Sequence, residues 1–164
     1  MNLAGLAVAV LIHASAAGDA LTAPVNIEWF AVQATNENRS AQEMEFGEGL
    51  DAIRNAIAEF VEKKRLELDT FAQIAHAELQ AAPNKETKLK INARYSAFIK
   101  PLTRDDRGRI RMNVRIEETS ERDGKNTVRD ALNTTSSVAK NSPLLLGGLK
   151  LERGNLIGAI IVGD

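Results

Sequence analysis

The chain has 164 residues, 21 Lys and Arg against 22 Asp and Glu, a formal net charge of −1, no cysteine and 4% aromatic residues. This length suits one domain with a sizeable core, and 44% hydrophobic with 26% charged residues excludes a disordered chain. The absence of cysteine excludes a disulfide framework, a thiolate zinc site, an iron–sulfur centre and a cysteine nucleophile.

Residues 2–17 carry no Asp, Glu, Lys or Arg and include Leu3, Leu6, Val8, Val10, Leu11 and Ile12. The small-residue triplet Ala14-Ser15-Ala16 follows, and polarity returns at Gly18-Asp19. The apolar run is shorter than the roughly 20 residues a membrane-spanning helix needs, and it predicts a secretory signal over 1–17 cleaved after Ala16 or Ala17. The n-region has only the α-amino group of Met1 as its positive charge. The mature part, 18–164, is then a single domain that works in the periplasm or at the outer membrane.

After Pro24, residues 25–34 alternate, with Val25, Ile27, Trp29 and Ala31 on one side, which predicts a strand. Residues 36–47 are polar and predict a loop. From Gly49 to about Ala81 the period changes. Leu50, Ile53, Ile57, Phe60 and Val61, then Leu68, Phe71, Ile74, Ala75 and Leu79, recur at three- and four-residue steps. This spacing predicts an amphipathic helix, or two helices broken near Lys63-Lys64-Arg65, ending at Pro83-Asn84.

Residues 88–99 and 110–116 alternate clearly and flank the turn-forming run 103–108. Folding the chain between Asp105 and Asp106 sets Ile99 opposite Met112, Ala97 opposite Val114 and Tyr95 opposite Ile116. One face is then apolar and the other cationic, so a long β-hairpin is expected. Residues 118–131 are polar and predict a loop or excursion. Three strands are expected over 132–139, 144–151 and 156–162, with a bulge or bend at Gly147-Gly148. The expected fold class is α+β: an N-terminal strand and an amphipathic helical segment packed on a mainly antiparallel sheet. Trp29, Ile57, Phe60, Phe71, Tyr95, Ile99, Val114 and Ile116 are the expected core.

Catalytic chemistry has little support. Of the two histidines, His13 falls in the signal segment, and His76 has no second histidine or cysteine with which to build a metal centre of three or four ligands. Gly124-Lys125-Asn126-Thr127 lacks the earlier glycine of a phosphate loop. No cofactor is expected, and the chain reads as non-enzymatic. The candidate site is the cationic hairpin face: Lys88, Lys90, Arg94, Arg109, Arg111 and Arg115. Such a face suits an anionic lipid, a glycan or an acidic protein. Nucleic acid is disfavoured, because Phe98 is the face's only aromatic residue and a signal directs the chain away from the genome.

From Leu79 onward the order of elements resembles the C-terminal β-domain of bacterial secretins, the outer-membrane channels of type II and III secretion, type IV pili and filamentous phage export. The resemblance rests on Leu79-Gln80-Ala81-Ala82-Pro83 before a strand and on Asp106-Arg107-Gly108-Arg109-Ile110-Arg111-Met112-Asn113-Val114-Arg115-Ile116 running into Glu117-Glu118-Thr119-Ser120. It continues through Thr134-Thr135-Ser136-Ser137-Val138 to Leu144-Leu145-Leu146-Gly147-Gly148-Leu149. Asn141-Ser142-Pro143 replaces the Asp-Gly turn of that family. The resemblance covers residues 79–164. It implies homo-oligomerisation through strands, or association with other secretion-system proteins.

Overall fold

The computed structural model describes residues 18–37 and 43–163, with residue 122 given by its backbone alone. The segment 1–17 expected to be a signal lies outside the described residues. Among those residues the chain forms β1 (Asp19–Ala20), β2 (Val25–Thr35), β3 (Glu45–Phe46), α1 (Arg54–Lys64), β4 (Thr70–Ala81), β5 (Thr87–Lys90), β6 (Tyr95–Arg104), β7 (Ile110–Arg122), β8 (Lys125–Val138), β9 (Leu144–Lys150) and β10 (Asn155–Val162). The molecule is mainly β, with one short helix. No helix among these residues is long and apolar enough to cross a membrane.

The first sheet runs β6-β7-β8, with β1 and β5 both pairing with β6. The second runs β3-β4-β2-β10-β9 and is antiparallel except for the short β3–β4 pair. Tyr95, Ala97, Ile99, Met112, Val114 and Ile116 of the first sheet meet Val25, Ile27, Trp29, Leu156 and Ile160 of the second in one core. On the far side of the second sheet, Phe30, Val32, Phe71 and Ile157 pack against Leu50, Ile53, Ile57 and Val61 in and before α1. The second sheet is thus the middle of three layers, and its central strands turn continuously apolar where both faces are covered, over Trp29–Val32 of β2 and most of β10, whereas Asn26 and Glu28 keep the start of β2 alternating. Of the expected core, Phe60 is half-buried and the other seven residues are buried.

The helical expectation holds for its first half only. α1 ends where Arg65 turns left-handed at φ 52°, with Lys63 and Lys64 favourably placed on the negative end of the helix dipole. Residues 68–79 are not a second helix. They lie mostly in β4, which pairs with β2 from Val25 opposite Ala81 to Thr35 opposite Thr70. A bulge there sets Ala31 opposite Ala75 but Val32 opposite Gln73, leaving Ile74 as the extra residue. Ile74, Ala75 and Leu79 then face the inter-sheet core while Phe71 faces α1, which reproduces a helical spacing on a strand.

Three further expectations change. Residues 88–99 are not one strand: the chain reverses at residues 91–94, where Asn92 Oδ1 accepts the N–H groups of Arg94 and Tyr95, and β5 folds back on β6. The β6–β7 hairpin exists, but Ile99 faces Val114, Ala97 faces Ile116 and Tyr95 faces Glu118. A wider turn and a bulge at Leu102 move the register by two residues, an even step that keeps each side chain on its face. Finally, residues 118–131 are not a loop. They extend β7 and β8 into a hairpin closed by Asp123 and Gly124, both at positive φ (53° and 71°), the geometry of a two-residue type I′ turn. The apolar face of the hairpin packs on the second sheet, and α1 lies on that sheet's other side.

Candidate functional site

Alternation along β6 and β7 turns Phe98, Arg111, Asn113, Arg115 and Glu117 away from the inter-sheet core. Lys88, Phe98, Arg115 and Asn133 form one row across β5, β6, β7 and β8. Phe98 is flanked by cations on both sides, with Lys88 Nζ 5.5 Å and the Arg115 guanidinium 4.2 Å from its ring centre.

The six expected cations have different surroundings. Arg115 is held by Glu117, by Glu86 at 3.2 Å and by Asp130 at 3.3 Å. The Glu117 hydrogen bond is the main reason its pKa is raised. Arg109 pairs with Asp105 at 2.6 Å inside the β6–β7 turn. Desolvation raises the Asp105 pKa, but hydrogen bonds from Arg109 and Arg107 outweigh it and hold the carboxyl below its usual value. Arg94 leaves this face to donate through Nε, at 2.5 Å, to Glu118, an inward residue of β7. Lys88, Lys90 and Arg111 have no carboxylate partner among the described residues.

Sequence reasoning missed the Glu118 clamp. Arg129 Nε and Nη2 both approach the second carboxylate oxygen at 2.5 Å, so one buried carboxylate serves two guanidinium groups. Hydrogen bonds from Arg129, then from Arg94, hold the Glu118 carboxyl below its usual range against the opposing effect of burial. The clamp lines a cleft of about 280 Å³ with Tyr95, whose hydroxyl donates to the Lys150 carbonyl at 3.0 Å.

A second arrangement was also missed. Glu28, His76 and Glu78 each bring one potential metal-ligating atom within 4.8 Å of the others on the outer face of the second sheet. On the helix expected for this segment, positions 76 and 78 point apart. On β4 they share a face.

The edge of the first sheet is its other conspicuous feature. β8 has 14 residues, pairs with β7 alone among the described strands, and is exposed throughout residues 125–130, with Arg129 and Asp130 lining the Glu118 cleft beside Gly148, Leu149 and Lys150 of β9. Val128, 55% exposed, is the most exposed large apolar residue described. Comparison of the chain with protein-family models, curated proteins and solved structures gave no match.

Proposed function

We propose that this chain is a secreted, non-enzymatic β-module of the secretin type, which joins copies of itself edge to edge within or beside an outer-membrane secretion or pilus channel. The observation that carries this reading is the exposed half of β8, residues 125–130, whose outward backbone donors and acceptors meet no further strand among the described residues. Such an edge templates strand addition unless it is short, charged, bulged away or covered. β8 is long, its bulge at Ala131 lies past this half, and its charges there are of both signs, Lys125 and Arg129 with Asp130. The order of strands from residue 79 also supports it. It passes through the β6–β7 hairpin to a final pair in which Gly148, at φ 105°, is the bulged residue of the Gly-Gly-Leu segment.

Anion binding by the cationic face ranks second, because carboxylates already engage Arg94, Arg109 and Arg115. The deciding experiment is the mass of the full chain, isolated from membranes in detergent and from the soluble fraction in buffer. A large assembly resistant to heat and detergent is the expected result, and a monomer in both fractions overturns it. Retention on anionic vesicles that is lost in the double variant Arg109→Glu, Arg111→Glu would instead favour the second reading.

A further inference from the structure

The Glu28–His76–Glu78 group lies on a different sheet from β8 and does not depend on assembly. His76 and Glu78 are two residues apart on β4. Glu28 of β2 stands directly opposite Glu78, and its neighbour Phe30 stands opposite His76. His76 Nε2 lies 3.0 Å from a Glu28 carboxylate oxygen. The Phe30 ring, with its centre 4.7 Å from that of the imidazole, limits rotation of the histidine.

Two features of this site call for a cation. Carboxylates directly opposed across antiparallel strands repel each other, and among the described residues neither Glu28 nor Glu78 pairs with Lys or Arg. Independently, an open cleft of about 610 Å³ adjoins them. Its walls carry Glu28, Glu78, Asn26, Gln80 and Asn141, with no basic residue among the described residues that line it. Donors on a tetrahedral ion at about 2.0–2.2 Å sit about 3.4 Å apart, so the present spread closes by shifts of little more than an ångström, shared between the exposed Glu78 and the half-buried Glu28 side chains.

We propose that Glu28, His76 and Glu78 bind a divalent first-row transition-metal ion, with its remaining coordination positions open to water in the cleft. The imidazole nitrogen favours zinc and its neighbours over magnesium and calcium, which take oxygen donors. The chain has no cysteine to compete, and its only other histidine is His13.

The test uses the full chain without a histidine tag. Titration with Co²⁺ is expected to produce visible d–d absorption that saturates at one equivalent, is displaced by Zn²⁺ and is abolished by a chelator. Glu78→Gln, at an exposed position, is expected to weaken binding by more than about tenfold, with unchanged far-ultraviolet circular dichroism. His76→Ala is expected to behave likewise, and His13→Ala is expected to bind as the parent does. The proposal is overturned by absence of saturable binding in the parent, by binding that survives both Glu78→Gln and His76→Ala, or by binding lost in His13→Ala alone.

Discussion

Glu118 is the only charged residue buried among those described, 2% exposed, and Arg94 and Arg129 decide its ionisation. Because its folded pKa lies below the ordinary 4.5, the stability it contributes is fully present above that value and is lost as pH falls through the folded pKa. Glu118→Gln is therefore expected to cost about 2 kcal/mol at neutral pH, the scale of charge-assisted hydrogen bonds lost. Its deficit against the parent should shrink at pH 3. Urea unfolding of both proteins at the two pH values checks this, and an equal deficit at both would rule the clamp out as the source. Arg129→Ala leaves Arg94 in place and should be mild. Removing both arginines buries a carboxylate without a cation, so the double variant should lose more than the single effects combined. Neither clamp nor metal-ligating group was legible from the sequence. Glu118 and Arg129 lay in an apparent polar loop, and Glu28 is 48 positions from His76, brought beside it only by the β2–β4 register.

At the level of elements, the sequence was legible where one face met the core and the other met water. β6 and β7 over residues 95–116, and the solvent-edged α1, carry that contrast. β4 was misread because a bulge and a change of core partner imitate helical spacing. The hairpin extension was misread because its one inward-facing buried position is a charged residue, Glu118, and beyond it the strands are exposed, leaving no apolar alternation even though Asp123-Gly124 is a strong turn signal. That turn can be tested alone. Gly124→Ala places a side chain at φ 71° and is expected to cost about 1 kcal/mol in the hairpin. Amide exchange should quicken in residues 117–130 while the inter-sheet core keeps its protection. In β10 the constraint is packing, since a Cβ on Gly158 would lie 2.6 Å from Cη2 of Trp29. Gly158→Ala is expected to cost about 1–3 kcal/mol through overpacking. Trp29 is the only tryptophan, so its fluorescence should shift in the folded variant.

In the whole molecule, the second sheet is covered by the first sheet on one face and in part by α1 on the other, where Glu28, His76 and Glu78 stay open, while the first sheet is covered on one face only. Its outer face and residues 125–130 of β8 remain open to solvent. Residue-by-residue geometry makes the edge proposal specific. In a two-residue hairpin the flanking pair, here Arg122 and Lys125, exchanges both backbone hydrogen bonds. The bonding then alternates, so Thr127 and Arg129 point their N–H groups at β7, whereas Asn126, Val128 and Asp130 point theirs away. A proline at an outward position removes a donor that assembly would use and none that the hairpin uses, and an edge strand tolerates it. Val128→Pro is accordingly expected to leave the folded subunit intact and to abolish the high-mass assembly. Thr127→Pro, one residue earlier, removes a bond to Ser120 and should open the hairpin itself. The pair separates loss of an edge from loss of structure. Sedimentation of both variants in detergent, with amide exchange over residues 117–130, gives the reading. A high-mass assembly that persists in Val128→Pro would show that copies do not join through this edge.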